Sequence, residues 1–115
     1  MHPFHVTLAQ ALTLMPGPGR DQYAVLLEHE TLQVGLYAPR GVDDQTPHTR
    51  DELYIVMRGS GWFRSGRERV AFEPGDVLFV PAHREHRFEH FTEDLALWVI
   101  FYGPEGGEAN PKKKS

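Results

Sequence analysis

Two histidines and a glutamate stand out by type and spacing. His48 precedes Glu52 by four residues at the head of an apolar run, and His86 opens a later β-prone run. Two imidazoles and one carboxyl group, with other coordination positions left open, form the 2-His-1-carboxylate arrangement that suits Fe(II), Mn(II), Ni(II) or Zn(II). In one extended strand His48 and Glu52 would share a face about 13 Å apart, too far to meet at metal bonds of roughly 2 Å. A tight turn at Thr49-Arg50-Asp51 removes that difficulty by placing the pair at the ends of neighbouring strands. Pro81 to Glu85 acts in the same way, turning the chain so that His86 begins a returning strand. The constellation predicts a site for one divalent transition metal.

The elements that must hold these residues are strands. Tyr23 to His29 and Leu32 to Ala38 read as β, joined by a turn at His29-Glu30-Thr31. Pro39 to Pro47 is too rich in turn formers for a regular strand. Leu53 to Met57 is a strand closed by Gly59-Ser60-Gly61. Trp62 to Arg64 and Glu68 to Phe72 form a hairpin about Ser65-Gly66-Arg67. Val77 to Val80 follows the Pro74-Gly75-Asp76 turn, His86 to Phe91 alternates, and Leu95 to Tyr102 is a long apolar strand. Before them, Thr7 to Leu12 suits a helical turn or two, ended by Pro16-Gly17-Pro18-Gly19. Short strands at near-regular spacing predict an all-β sandwich or barrel. The expected organisation is an N-terminal segment over 1–22, a barrel over 23–103 and a flexible tail over 104–115.

Composition narrows the function classes. The 115 residues suit one domain with its own core, and the absence of cysteine excludes disulfides and thiolate metal sites. A formal charge of −4 gives no support to nucleic-acid binding, which normally needs a basic face. No apolar run approaches the roughly 20 residues of a membrane span, and the first residues lack the basic-then-apolar order expected of a signal peptide. A cytoplasmic protein with a small-molecule ligand, and neither nucleic acid nor membrane as partner, is expected.

The motifs also carry a family likeness. Gly41 to Gly59 resembles the first cupin motif, a glycine, paired histidines, a glutamate and a later glycine. Gly75 to His90 resembles the second, Gly-x5-Pro-x-Gly-x2-His-x3-Asn. The resemblance spans about Leu32 to Tyr102 and implies a double-stranded β-helix, or jelly roll, with metal held in the barrel by His48, Glu52 and His86. Three positions depart from the pattern. Thr46 stands where the first histidine should be, His83 replaces a glycine, and His90 replaces the closing asparagine. Thr46 could offer a weak hydroxyl or water-mediated contact. His90, expected on the same strand face as His86, is a fourth ligand or an outer partner, and His83 is a further candidate for that place.

Cupins include dioxygenases, isomerases and binding modules, so the fold does not choose among functions. The leading expectation is a metal-dependent small-molecule enzyme, a dioxygenase above all, with Fe the favoured metal. The alternatives are a non-catalytic binding or sensor module, and an isomerase or epimerase using His86 or His48 as base. Glu52 could instead pair with Arg50 or Arg87. Arg40, Arg84 and Arg87, with Asp43, Glu85 and Glu89, read as a solvated mixed surface. Tyr54, Trp62, Phe79, Phe88, Trp98 and Tyr102 read as core, with some forming a dimer face. The resemblance implies a homodimer paired through sheet edges.

Overall fold

A computed structural model describes residues 4–16, 22–43 and 45–108. The Gly17-Pro18-Gly19 break, His2 and the lysine-tipped end from residue 109 lie outside the described residues. The chain runs α1 (Leu8–Leu12), β1 (Tyr23–His29), β2 (Leu32–Tyr37), β3 (Asp51–Arg58), β4 (Gly61–Ser65), β5 (Glu68–Phe72), β6 (Val77–Val80), β7 (His86–Glu89) and β8 (Ala96–Tyr102). The protein is all-β with one short helix, as the strand spacing predicts. No described helix is long and apolar enough to cross a membrane.

The strands form two antiparallel sheets, one ordered β1-β2-β8-β3-β6 and the other β5-β4-β7. Period-two alternation sends one side of each strand into the space between the sheets. Tyr54 and Val56 of β3, Leu97, Val99 and Phe101 of β8, and Phe63 and Phe88 of the smaller sheet meet there as the main core. The short helix starts at Thr7, whose side chain accepts from the Gln10 amide while Gln10 reaches back, a capping box. It packs with Val6, Leu8 and Leu12 against Leu36, Ala96 and Trp98, on the opposite face of the larger sheet.

Three expectations need correction. Asp43, read as part of a solvated surface, is 1% exposed, because donors from three directions close around it (below). Trp62 and Phe79, read as core aromatics, are 40% and 51% exposed, since alternation turns them outward while Phe63 and Val80 face in. Glu52 pairs with neither arginine among the described residues. Arg50 instead lies over the Phe101 ring and donates to the Thr31 carbonyl.

The run after β8 turns back over the loop that carries His48. Gly106 N–H donates to the Thr49 carbonyl, the Thr49 hydroxyl donates to the Glu105 carboxylate, and Glu108 N–H donates to Asp51. Asp51 also accepts from Ala82 N–H, and the His48 carbonyl accepts from His83 N–H. So residues 105–108 and the 82–83 turn grip the same short loop from two sides.

Candidate metal centre

Each of the three site residues reaches the centre by a different local route. Glu52 shares the inward face of β3 with Tyr54 and Val56, and sits between Phe101 of β8 and Val80 of β6. His86 opens β7 and shares its inward face with Phe88. His48 belongs to no strand; its ring packs edge-on against Phe101 at 5.1 Å between centroids. The expected turn before Glu52 is a bend at Thr49-Arg50, after which β3 begins at Asp51. The two sheets therefore supply one ligand candidate each, and the loop supplies the third.

Their donor atoms converge. One ligating atom from each of His48, Glu52 and His86 lies within 4.8 Å of the others. Glu52 Oε1 is 3.4 Å from His86 Nε2 and 3.8 Å from His48 Nε2. Donors bonded about 2.1 Å from one ion at right or tetrahedral angles stand roughly 3.0–3.4 Å apart, so the spacing fits a first-row metal with little adjustment. Glu52 Oε1 is moreover fully enclosed, with no hydrogen-bond partner among the described residues. A buried carboxyl oxygen left without a donor costs free energy, and a cation between the imidazoles would remove that cost. The residues present fit the group that the motif implies.

The histidines are prepared differently. His86 Nδ1 lies 2.9 Å from the Arg84 carbonyl, so Nδ1–H donates there and the Nε2 lone pair faces the centre. Burial lowers the His86 pKa, but Glu52 and the Arg84 carbonyl outweigh it and the net shift is upward. For His48, which is half-buried, desolvation dominates over the attraction of Glu52, and the pKa falls. Burial, then Glu52, holds the Tyr54 phenol well above its ordinary range.

The other candidates are not brought to the centre. Thr46, His83 and His90 are exposed. His90 was expected to continue the β7 face, but that strand ends at Glu89 and His90 takes φ 47°, which swings the side chain out of the alternation. His83 likewise sits at φ 68° in the turn before β7.

Three residues that the motif reading passed over shape the site. Tyr54 places its hydroxyl 3.2 Å from His86 Nε2 and 3.0 Å from Gln45 Oε1. Gln45 Oε1 is also 3.1 Å from His48 Nε2. Asp43 accepts from Gln45 Nε2 at 2.8 Å, from the Tyr37 hydroxyl at 2.6 Å and from Phe88 N–H at 2.8 Å.

A cavity of about 180 Å³ opens onto Gln45, His48, Glu52 and Tyr54. Among the described residues its remaining walls are Tyr23, Tyr37, Val99 and Phe101, with no lysine or arginine. Both wall tyrosines have their hydroxyls engaged, Tyr23 with Gln33 and Tyr37 with Asp43, so their rings face the space. Gly35 makes this possible, since a Cβ there would stand 2.6 Å from the Tyr23 ring. The cavity is apolar with one polar end.

Comparison with known proteins agrees with this architecture. The cupin domain family model matches residues 33–102. An uncharacterised protein of Streptomyces coelicolor is 39% identical over 85 residues, spanning 72% of this chain and 81% of that protein. Acireductone dioxygenase 1 of Coprinopsis cinerea is 29% identical over 82 residues, spanning 57% of this chain but only 46% of the fungal protein. Among solved structures, a cupin-2 domain protein of Shewanella frigidimarina superposes with a TM-score of 0.68 at 19% identity, covering 85% of this chain and 94% of that one. The two antiparallel sheets of this chain form the double-sheet barrel and the family model matches most of its length, so this protein belongs to the cupin family.

Proposed function

We propose that this cupin is a metal-dependent oxygenase, acting on a compact molecule with an apolar body and a single chelating head. The observation that carries the reading is Glu52 Oε1, orphaned between two imidazoles at the one polar end of an otherwise apolar cavity. The likeness to a protein named acireductone dioxygenase supports the choice of oxygen chemistry. A redox-active divalent metal such as Fe would supply Lewis acidity and electrons for oxygen there.

The chain's own residues then do the rest. His48, Glu52 and His86 hold the metal, and the Arg84 carbonyl keeps His86 in the tautomer that can ligate. Tyr23, Tyr37, Val99 and Phe101 exclude water and admit only a small body. An apolar cavity of about 150 Å³ holds benzene, so this one takes a single ring with one or two substituents. Among the described residues its walls hold no lysine or arginine, which disfavours phosphates and free carboxylates.

Thr46 favours a second reading, a binding or sensor module, because the pattern's first histidine has no counterpart at that position. Oxygen uptake separates the two. Protein loaded anaerobically with Fe(II) and given catechol as a chelating single-ring probe is expected to consume oxygen, and His86→Ala to consume none above free iron. A rise in melting temperature with catechol but no uptake would support the module. Turnover of a ligand that survives chelation would support base-catalysed isomerisation instead.

We also propose a homodimer through the outer face of the larger sheet. Val77 and Phe79 of edge strand β6 are 61% and 51% exposed, and they register beside Ile55 and Leu53 of β3. That makes an apolar surface next to a strand edge that no other described strand pairs. Light scattering is expected to give twice the chain mass for the native protein and the single mass for Phe79→Glu/Val77→Glu. A native monomer would remove the proposal.

A further inference from the structure

We propose that the side-chain oxygen of Gln45 is the fourth protein donor of the centre, standing in for the histidine that Thr46 does not supply. The inference rests on the metal reading above and adds a residue that stands at no ligand position of either motif.

Five atoms form a closed ring: His86 Nε2, Glu52 Oε1, His48 Nε2, Gln45 Oε1 and the Tyr54 hydroxyl. Successive separations are 3.4, 3.8, 3.1, 3.0 and 3.2 Å. Gln45 Oε1 thus stands 3.1 Å from His48 Nε2, the separation expected of two donors bound side by side on one ion, and 3.0 Å from the Tyr54 hydroxyl that closes the ring.

The orientation of the carboxamide is fixed, which is what makes it a donor rather than a bystander. Either end of a glutamine side chain could in principle face the centre. Here one end lies 2.8 Å from Asp43 Oδ2, and a carboxylate that also takes the Phe88 N–H can only accept. That end must be the NH2, so the oxygen faces His48 and Tyr54. The Gln45 backbone N–H is bound to the same carboxylate at 3.2 Å, tethering main chain and side chain to one anchor. Thr46 precedes Pro47, which holds it extended and sends successive side chains to opposite sides. Gln45 turns in and Thr46 turns out.

An amide oxygen is a neutral, hard donor. Two imidazoles, one carboxylate and one amide oxygen suit Mn(II), Fe(II), Co(II) or Ni(II) and give no soft ligand to hold Cu(I). The remaining positions stay open for a chelating ligand arriving from the apolar cavity.

Cobalt(II) tests this, because its visible absorption reports ligand type and number. Native protein, Gln45→Leu, Gln45→Asn and His86→Ala are titrated with Co(II), and affinity is read by chelator competition. Gln45→Leu is expected to bind about 100-fold more weakly than native protein. Its spectrum should also be altered, as loss of a ligand requires and loss of a mere positioning contact does not. Gln45→Asn keeps the amide but shortens its reach, and is expected to show the same change; it decides the matter if the leucine variant does not fold. Native affinity and spectrum in a folded Gln45 variant, with binding lost in His86→Ala, would overturn the role of Gln45 and leave the three-residue site standing. No Co(II) binding by native protein would bring down the metal reading itself, and this inference with it.

Discussion

Untagged protein is expected to carry close to one equivalent of a first-row transition metal, and His86→Ala to carry less than about a tenth of that. The expectation follows from how little His86 can be spared. Its side chain is fully buried, its tautomer is set from behind by Arg84, and it lies nearer to Glu52 than His48 does. Truncating it removes one donor and leaves Glu52 Oε1 beside an empty space. Stripping the metal from native protein should also lower its melting temperature, because binding at a thousand times Kd stabilises the folded state by about 4 kcal/mol. Elemental mass spectrometry and a melting curve before and after chelation check both statements. Metal-free native protein whose melting point ignores added Mn(II), Fe(II), Ni(II) and Zn(II) would refute the centre.

Asp43→Asn should destabilise the fold by about 3 kcal/mol, nearly as much as Asp43→Ala. All four contacts of this buried carboxylate are donors: Tyr37 hydroxyl, Gln45 N–H, Gln45 Nε2 and Phe88 N–H. An asparagine of the same shape must present its NH2 to two of them. Hydrogen bonds to a charged group contribute about 1.5–3 kcal/mol each, and a buried donor left facing another donor loses that and its hydration. Tyr37→Phe, which removes one donor only, should cost about 1 kcal/mol. Urea denaturation gives all three values, and an Asp43→Asn protein within about 1 kcal/mol of native would show that the cluster relaxes more easily than its distances imply.

Much of the barrel was legible in the chain, and the reason is local. Val77–Val80 lies between a Pro-Gly-Asp turn and a proline, and Leu32 to Tyr37 and Tyr23 to His29 end at turn formers, so composition marks their limits. His48, Glu52 and His86 were legible because each lies at a strand end or a turn within a motif, and the structure brings them together. His90 was misplaced because alternation predicts a face only while the backbone stays extended, and its positive φ breaks that at one residue. Asp43 and Gln45 were missed for a different reason. Both lie in a run of turn formers where polar residues look solvated, and the group that buries Asp43, Phe88 N–H, is 45 residues away. Non-local hydrogen bonding leaves no pattern in neighbouring residues. Tyr54 sits between, since its inward position follows from β3 periodicity but the partners of its hydroxyl do not.

The backward turn of residues 105–108 has a practical meaning for anyone excising this domain. The family match ends at residue 102, and a boundary drawn there would keep every strand and every proposed ligand. It would also cut away the groups that hold Thr49 and Asp51, the immediate neighbours of the loop that presents His48. A shortened chain of that kind would fold as a barrel yet present a loosened His48, and ordering that loop again would be charged against every ligand it bound. Truncation after residue 108 keeps the brace; truncation after residue 102 mistakes a working part of the site for packaging.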